Sequence, residues 1–232
     1  MPLIQLKHVA KVYNDSGVPV HALHDIDLTI DALEFTAIIG PSGSGKTTLL
    51  NIIGGLDTAT SGEVIIDGLD ISALKERTLV DFRLHHIGFV FQSYNLIPVL
   101  TAKENVEFVM LLQNVPGVER DQKAVELLEA VGMGERANSR PSELSGGQQQ
   151  RVAVARALAS HPSFVLADEP TANLDSTSAF SLLELMEKLN KTYGMTFVFA
   201  THDARVIQRA RRVVTIEDGK IKSDVKSSAN TP

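Results

Sequence analysis

The chain has 232 residues, 44% of them hydrophobic, which is enough for one large globular domain or two small ones. With 28 acidic against 22 basic residues, its net charge of −6 argues against nucleic acid or an anionic membrane surface as a partner. The lack of cysteine excludes disulfides, thiolate catalysis and cysteine-based zinc or iron–sulfur sites.

The same sequence predicts a cytoplasmic protein. It begins with no basic-then-apolar leader, and no apolar run approaches the roughly 20 residues that a membrane-crossing helix needs. A chain without cysteine also fits a reducing compartment. We therefore expect any role at a membrane to come through a partner protein.

The first third of the chain is typical of β-strands, because short β-branched runs alternate with turn residues. The predicted strands are "LIQLKHVAKVY", "HDIDLTI", "FTAIIG" and "EVIID", and the turn residues include Asn14, Asp15, Gly17 and Gly62.

Helices follow in the middle third, and helices and strands alternate in the last third. Thr101 and Glu104 form a capping-box pattern at the start of "TAKENVEFVMLLQ", and "DQKAVELLEAV" predicts a second helix after Pro116 and Gly117. The last third reads "SFVLAD", "SAFSLLELMEKLN", "TFVFAT", "ARVIQRARR" and "RVVTIEDGKI". This alternation predicts a parallel sheet covered by helices, followed by a frayed polar tail over residues 223–232.

A phosphate-binding loop is predicted at residues 40–48. The stretch "GPSGSGKTT" matches the pattern G-x-x-x-x-G-K-[ST] and lies between an apolar strand and an apolar helix, as that mechanism requires. Its members are Gly40, Pro41, Ser42, Gly43, Ser44, Gly45, Lys46, Thr47 and Thr48. We expect backbone N–H groups to surround phosphate oxygens, Lys46 to pair with the β- and γ-phosphates, and Thr47 to bind Mg²⁺.

Two other readings of this loop compete with phosphate binding. A plain Gly/Ser turn is the simpler one, but the flanking strand and helix disfavour it. A dinucleotide-binding fingerprint fails, because Thr48 stands where the third glycine belongs.

Two acidic residues stand at the end of "FVLADE", whose apolar strand runs from Phe164 to Ala167. Asp168 and Glu169 end that strand, where side chains of a parallel sheet face the ligand crevice. We expect Asp168 to act on Mg²⁺, usually through water, and Glu169 to orient and polarise the attacking water. The alternative is a solvated acidic turn before Pro170.

A second anion site is predicted at "SELSGGQQQR", residues 142–151. Glycines at the start of a helix leave N–H groups free to point at a negative charge. A capping box from Ser145 to Gln148 is the alternative, and that local role is compatible with anion binding. It does not explain the consecutive Gly146 and Gly147.

Four segments together resemble the nucleotide-binding domain of ABC ATPases. "GPSGSGKTT", "ELSGGQQQR", "FVLADEPTANLDS" and "FATHD" are similar to its phosphate loop, signature motif, acidic strand with D-loop, and switch histidine. The resemblance covers residues 3–221. It implies an α/β fold: a P-loop NTPase, RecA-like core with a mostly parallel sheet, an antiparallel β subdomain and an α-helical signature subdomain.

The resemblance also implies how these parts divide along the chain. A single ABC ATPase domain over residues 1–232 would have its catalytic core and β subdomain in residues 1–92 and 160–222. Residues 93–159 would form the helical subdomain, and residues 223–232 a flexible tail.

In this family the signature segment of one subunit closes over the γ-phosphate held by the phosphate loop of the other. Ser145, Gly146, Gly147 and Gln148 would therefore contact ATP bound by a second copy, in a two-fold homodimer with two sandwiched ATP molecules. That explains two anion sites in one chain.

Further site residues are implied one at a time. Tyr13 resembles the aromatic residue that stacks on adenine, although a lone tyrosine is often just a strand-edge residue. Gln92 matches the Q-loop glutamine that reaches Mg²⁺ or the attacking water; alone it is an ordinary loop amide. Asp175 matches the D-loop aspartate that crosses the dimer seam. His202 matches the switch histidine on the γ-phosphate; alone it would be a strand-end histidine.

The sequence departs from the family pattern at two positions. Leu33 precedes Glu34 where the turn before the phosphate loop is usually Gly-Glu, so that turn is expected to differ locally. Asn173 begins the D-loop where many relatives have a small residue, which puts no catalytic residue in doubt.

The resemblance implies an ATP-hydrolysing subunit on the cytoplasmic face of the inner membrane. "IGFVFQSYNLIPVLTAKENVEF" and "RPSELSGGQQQRVAVARALA" look like the branch that serves lipoprotein release and macrolide export. The partner would be an integral membrane permease of the FtsX-like type, with its coupling helix on residues 93–115. The alternative is a regulatory clamp that transmits force to a membrane partner without transport.

Overall fold

The computed structural model describes residues 2–14 and 17–226, so Met1, Asp15, Ser16 and residues 227–232 lie outside the described residues. The strands are β1 (Ile4–Tyr13), β2 (Val20–Ile30), β3 (Phe35–Ile39), β4 (Ser61–Ile66), β5 (Leu69–Asp70), β6 (Ile87–Val90), β7 (Phe164–Asp168), β8 (Thr196–Ala200), β9 (Arg212–Glu217) and β10 (Lys220–Lys226). The α-helices are α1 (Lys46–Ile53), α2 (Glu76–His86), α3 (Ala102–Leu112), α4 (Gly117–Ala130), α5 (Gly146–Leu158), α6 (Ser176–Tyr193) and α7 (Ala204–Arg209).

The strands form two sheets of different kinds. One sheet is antiparallel with the order β2-β1-β4-β5. The other has the order β10-β9-β3-β8-β7-β6 and is parallel except for the β10–β9 pair. This combination confirms the expected α/β fold with a mostly parallel core and an antiparallel β part.

The mostly parallel sheet lies between two hydrophobic clusters. Along β8, Phe197 and Phe199 point into a cluster shared with helices α3 to α6, whereas Val198 and Ala200 point into a cluster shared with α1 and the antiparallel sheet. Burial on both faces explains why the strand reads as a continuous apolar run rather than an alternating one.

Local sequence signals set several helix boundaries. Thr101 caps α3, since its Oγ1 accepts a hydrogen bond from the Glu104 N–H (3.2 Å) while Glu104 Oε2 accepts from the Thr101 N–H (2.7 Å). This confirms the capping box predicted from sequence. Helix α2 and strand β6 were not predicted, because α2 buries only Leu79 and Phe82 and β6 has only four residues.

The predicted tail over residues 223–232 was wrong for its first four residues. Ser223 to Lys226 belong to β10 and pair with β9. Buried Arg212 makes two parallel bonds of 2.7 Å to Asp224 and one of 2.9 Å to Glu34, and Lys226 Nζ lies 2.9 Å from Glu34 Oε1. These ion pairs hold a polar segment in the sheet that its hydropathy alone would not place there.

The turn before β3 contains a leucine, Leu33, in a backbone conformation that is uncommon for residues other than glycine. Leu33 has a φ of 68°, in the left-handed region that costs a non-glycine residue about 1–2 kcal/mol. Its N–H donates to Thr196 Oγ1 (2.8 Å), and its carbonyl accepts from Asn190 (3.1 Å) and Arg211 (2.9 Å). The surrounding hydrogen bonds therefore hold leucine in a conformation that glycine adopts readily.

Candidate active site

Functional side chains converge at the carboxyl edge of the mostly parallel sheet. The neighbouring parallel strands β3, β8 and β7 end there. The phosphate loop (residues 40–48) follows β3, the residues Thr201 and His202 follow β8, and β7 ends in Asp168 with Glu169 next. Three chain segments far apart in sequence thus meet at one place, as expected for a crevice of an α/β sheet.

Close backbone approach explains two glycines of the phosphate loop. Gly40 has a φ of 153°, and a Cβ there would lie 2.0 Å from the Ile216 carbonyl oxygen. Gly45 has a φ of 103° at the start of α1, and a Cβ would lie 2.6 Å from the Ala22 carbonyl oxygen. No other residue type fits either position without displacing backbone, so the curled loop requires glycine at both.

Lys46 is held inside this loop. Its side chain is nearly buried at the start of α1, and its Nζ donates to the carbonyl oxygens of Gly40 (2.8 Å) and Pro41 (2.9 Å). Ser44 Oγ is also buried and has no hydrogen-bond partner among the described residues. The loop therefore presents a positive charge and an unused hydroxyl from a fixed backbone.

Thr47 and Asp168 join the loop to the acidic strand. Thr47 Oγ1 donates to Asp168 Oδ1 (3.2 Å). Burial and the nearby charge of Glu169 raise the pKa of Asp168, although the Thr47 hydrogen bond and the Lys46 charge act in the opposite direction. A carboxylate in such a setting gains from an added cation.

Glu169 is held in an uncommon backbone conformation. Its φ is 45°, which a non-glycine residue keeps only where the surroundings hold it. Its Oε1 accepts from His202 Nδ1 (2.6 Å) and its Oε2 accepts from Thr201 Oγ1 (3.0 Å). The Glu169 side chain is 16% exposed and that of His202 is 74% exposed. This pair therefore joins a sheltered carboxylate to an open imidazole.

A cavity of about 560 Å³ brings most of the predicted residues together. The predicted residues in its wall are Gly40, Pro41, Ser42, Gly43, Gly45, Lys46, Thr47, Thr48, Gln92, Glu169 and His202. Val20, His21, Ala22 and Ala172 also line it, and sequence reasoning missed them. The first three belong to β2, and their only signal is the strand pairing that brings β2 beside the loop.

Tyr13 lies next to this cavity but is not in its described lining. Its hydroxyl donates to Asp57 Oδ2 (2.6 Å), and Lys11 Nζ lies 4.7 Å from the ring centroid. In the sheet register Tyr13 pairs with Val20, which does line the cavity. Stacking of Tyr13 on a base stays a prediction.

The predicted second anion site is the tip of α5. The Ser145–Gln148 capping box is present, with Gln148 N–H donating to Ser145 Oγ (3.3 Å) and Ser145 N–H donating to Gln148 Oε1 (2.9 Å). A Cβ on Gly146 would lie 2.7 Å from the Tyr94 hydroxyl, and one on Gly147 would lie 3.0 Å from Ser178. A side chain at Gly147 would therefore crowd Ser178, whereas at Gly146 only the flexible end of the Tyr94 side chain would have to move.

The α5 tip and Asp175 stand apart from the cavity. Among the residues that the structure describes, the cavity lining includes none of residues 145–148 and not Asp175. Asp175 caps α6 by accepting from the N–H groups of Thr177 and Ser178. The hydrogen bond from the Ser178 hydroxyl, together with those from the two N–H groups, lowers the pKa of Asp175. Roles of these residues toward a bound molecule stay predictions.

Low pH should destabilise the fold at Asp203, the N-cap residue of α7. Hydrogen bonds from Arg205, helped by one from Thr171, lower the pKa of Asp203 from its ordinary 3.8 to about 2. A lowered folded-state pKa means that this carboxylate stabilises the fold fully above about pH 4 and loses that contribution as pH falls towards 2. We expect Asp203→Asn to lower the free energy of unfolding at pH 5 and to differ little from the unsubstituted protein near pH 2.

Urea unfolding at a series of pH values checks this expectation. Asp81→Asn, at an exposed carboxylate of α2, is the control for a charge removed elsewhere. A stability difference for Asp203→Asn that stays constant from pH 5 to pH 2.5 would contradict the assignment.

Comparison with known proteins agrees with this geometry. The family model for ABC transporters matches residues 23–172. An uncharacterized ABC transporter ATP-binding protein of Thermotoga maritima is 50% identical over 219 residues, covering 94% of this chain and 93% of the relative. The macrolide export ATP-binding/permease protein MacB of Brucella melitensis is 47% identical over all of this chain, which spans 36% of that relative.

A solved structure is similar over nearly the whole chain. The dimeric post-hydrolysis state of the ATP-binding cassette MJ0796, bound to ADP and Pi, has a TM-score of 0.89 and 44% identity. The match covers 98% of this chain and all of that chain. In the part of this chain that the structure describes, no helix is both long and apolar enough to cross a membrane.

Proposed function

The chain belongs to the ABC transporter family as an ATP-hydrolysing subunit, and from that premise we propose that it forms an ATP-bound homodimer that drives a separate membrane permease. The work it powers is export or the extraction of a lipid or lipoprotein. The observation that carries the proposal is that Lys46, Thr47, Glu169 and His202 line one cavity. Asp168 is outside this lining but accepts a hydrogen bond from Thr47.

The phosphate loop suits a triphosphate for reasons visible in its own atoms. Gly40 and Gly45 allow the backbone to curl, so its N–H groups can donate to phosphate oxygens. Lys46 would exchange the carbonyls of Gly40 and Pro41 for the β- and γ-phosphates, and the buried Ser44 hydroxyl is an unused donor beside them. Tyr13, whose strand partner Val20 lines the cavity, would stack on the adenine ring.

Residues present near the loop fit Mg²⁺. The Thr47 hydroxyl and the Asp168 carboxylate already lie 3.2 Å apart, Gln92 lines the same cavity, and all three offer the oxygen ligands that this hard cation prefers. When bound, Mg²⁺ neutralises charge that develops on the transferred phosphoryl group. The raised pKa of Asp168 fits a carboxylate whose ionised form awaits a cation.

Glu169 would orient the attacking water, and His202 would contact the γ-phosphate. Glu169 Oε1 and Oε2 are oriented by His202 and Thr201, so the carboxylate can accept a hydrogen bond from a water in a fixed direction. The exposed His202 ring can turn its other nitrogen toward the γ-phosphate. Gln92, which lines the same cavity, would contact the same water or the metal.

A second copy of the chain would complete each site. The α5 tip carries the positive end of a helix dipole, and in the described residues it does not line the chain's own cavity. In a two-fold dimer, Ser145, Gly146, Gly147 and Gln148 would reach the γ-phosphate on the partner, and Asp175 would lie at the seam. The dimeric ADP-bound relative is consistent with this arrangement.

A second groove, with none of the lining residues of the first cavity, is the proposed permease site. It encloses about 560 Å³ between the proposed helical subdomain, residues 93–159, and the proposed core. The groove is mostly apolar, and the side chains that matter here are Leu56, Val80, Leu84, Phe89, Phe91 and Leu112, with Arg83 and Arg156. An apolar helix end from an FtsX-like permease would fit this groove, on the cytoplasmic face of the membrane.

The permease proposal is tested by one charge placed in the groove. Leu112 lies in its wall and is 52% exposed, whereas Val118 on α4 is 86% exposed and outside it. We expect Leu112→Arg to reduce the amount of co-expressed cognate permease that co-purifies by about 10-fold, since a charge replaces a buried apolar contact. Val118→Arg should retain it; equal recovery with both variants would overturn the proposed site.

Reconstitution of the complex separates transport from force transmission. ATP-dependent movement of a substrate across or out of the membrane supports export or extraction. Activation of a periplasmic enzyme with no such movement would replace the transport proposal with a regulatory clamp.

A further inference from the structure

Helix α5 reaches the loop that contains Gln92 through its side chains. Gln150 Nε2 donates to the carbonyl oxygen of Phe91 (3.3 Å), the residue before Gln92. Arg156, two turns further along α5, donates to the carbonyl oxygens of Tyr94 (2.9 Å) and Asn95. The backbone on both sides of Gln92 is therefore attached to the helix whose tip is the proposed second anion site.

Gln150 also reaches the loop that follows Glu169. Its Nε2 donates to the carbonyl oxygen of Pro170 (2.9 Å), so the two hydrogens of one amide nitrogen serve two different loops. The side chain is 0% exposed, and its Oε1 has no hydrogen-bond partner among the described residues. Burying an amide with an unused acceptor opposes folding, so stability alone does not account for this residue.

A second amide joins the same two loops. Asn173 Nδ2 donates to the carbonyl oxygen of Gln92 itself (3.0 Å). The carbonyls of Phe91 and Gln92 are thus both held by side-chain amides, one from α5 and one from the segment after Glu169. Asn173 is exposed, so its amide could bond water at no cost. The orientation of the amide is therefore explained by its bond to the Gln92 carbonyl.

The bond from Gln150 to Pro170 restrains the backbone next to Glu169. Glu169 has a left-handed φ of 45°, and Gln150 anchors the carbonyl oxygen of the next residue, Pro170, in the peptide that joins Pro170 to Thr171. An anchored carbonyl one residue beyond a strained residue limits how that segment can relax. The Glu169 carboxylate is then held in position relative to Gln92, which lines the same cavity.

We propose that Gln150 and Asn173 are positioning residues that tie the Gln92 loop to the Glu169 loop. This rests on the proposed function, in which Gln92 and Glu169 contact the same attacking water. Because Gln150 lies one turn behind the α5 tip, a shift of α5 would move both loops together. Binding of the α5 tip to a partner's nucleotide would in this way change the positions of Gln92 and Glu169 in the chain's own hydrolysis site.

The test compares neighbouring amides of α5. Gln150→Met keeps the length of the side chain and removes both donated bonds. Gln149→Met is the matched control, since Gln149 Nε2 donates only to the Leu144 carbonyl beside the helix start (3.1 Å) in the described structure. We expect Gln150→Met to lower kcat about 10- to 100-fold, as for a misplaced catalytic group, with the ATP Kd unchanged within about threefold. Gln149→Met should keep both.

Asn173→Ala is a second variant, and because Asn173 is exposed its truncation leaves no cavity or unpaired group in the core that could prevent folding. We expect a drop in kcat of about 3- to 10-fold with an unchanged ATP Kd. A loss of ATP affinity in parallel with kcat, or a lowered thermal midpoint with normal kcat, would reduce both residues to a structural role and overturn the proposal. Unchanged kcat in both variants would do the same.

Hydrogen–deuterium exchange tests the tie without nucleotide or permease. In Gln150→Met, the amides of residues 92–95 and 171–174 should exchange faster together, whereas Gln149→Met should match the unsubstituted protein. Acceleration of only one loop, or of neither, would refute the tie even if ATP is hydrolysed normally. A failure of the unsubstituted protein to hydrolyse ATP would instead count against the proposed function.

Discussion

Replacing Glu169 by glutamine should reduce ATP turnover by at least about 100-fold while ATP still binds. The glutamine keeps the size of the side chain and can still bond Thr201 or His202, but it cannot act as a base toward water. Because bound ATP then persists, the proposed dimer should persist with it. Steady-state hydrolysis and gel filtration with ATP measure the two effects.

The matched control for this variant is Glu63→Gln. Glu63 is an exposed carboxylate of β4 that pairs with Lys7 (3.2 Å), so it undergoes the same chemical change away from the cavity. Its turnover should equal that of the unsubstituted protein. Hydrolysis at the normal rate by Glu169→Gln would remove Glu169 from the water-positioning role, and a strictly monomeric ATP-bound form would count against the sandwich.

Replacing Lys46 by alanine should weaken ATP binding by about 1.5 to 3 kcal/mol, or about 10- to 150-fold in Kd. The nearly buried ammonium would lose its charged hydrogen bonds to the phosphates, and no neighbouring cation in the described cavity wall replaces it. Titration of ATP by calorimetry measures the change directly.

Loss of the bonds from Lys46 to Gly40 and Pro41 could also loosen the loop, so the thermal midpoint is measured alongside. Lys220→Ala, at an exposed position of β10, controls for the loss of one positive charge. Unchanged ATP affinity in a folded Lys46→Ala protein would be incompatible with the proposed cradle.

Several features were predictable because their causes are local. The phosphate loop is specified by glycines, a lysine and a threonine between an apolar strand and an apolar helix. The acidic pair follows another apolar strand, and the capping boxes at Thr101 and Ser145 need only residues three apart. Spacing along the chain was sufficient to place all of these on the right elements.

Other features depend on residues that meet only after folding. The β10 extension requires Arg212 to find Asp224 and Glu34 at once, and helix α2 is too polar to be recognised from its few buried residues. The β2 residues in the cavity wall are there because β2 pairs with β1 beside the phosphate loop.

By itself, the sequence determined which chemical groups are present: a glycine-rich loop with a lysine and a threonine, an acidic strand end, a glycine-led helix and a histidine after a strand. Only the tertiary structure decided which backbone groups hold those parts in position. Gln150 bonds residues 59 and 20 positions away, and the left-handed backbone of Glu169 is supported from other segments. Such contacts arise from the packing of distant segments, and local propensity carries no information about them.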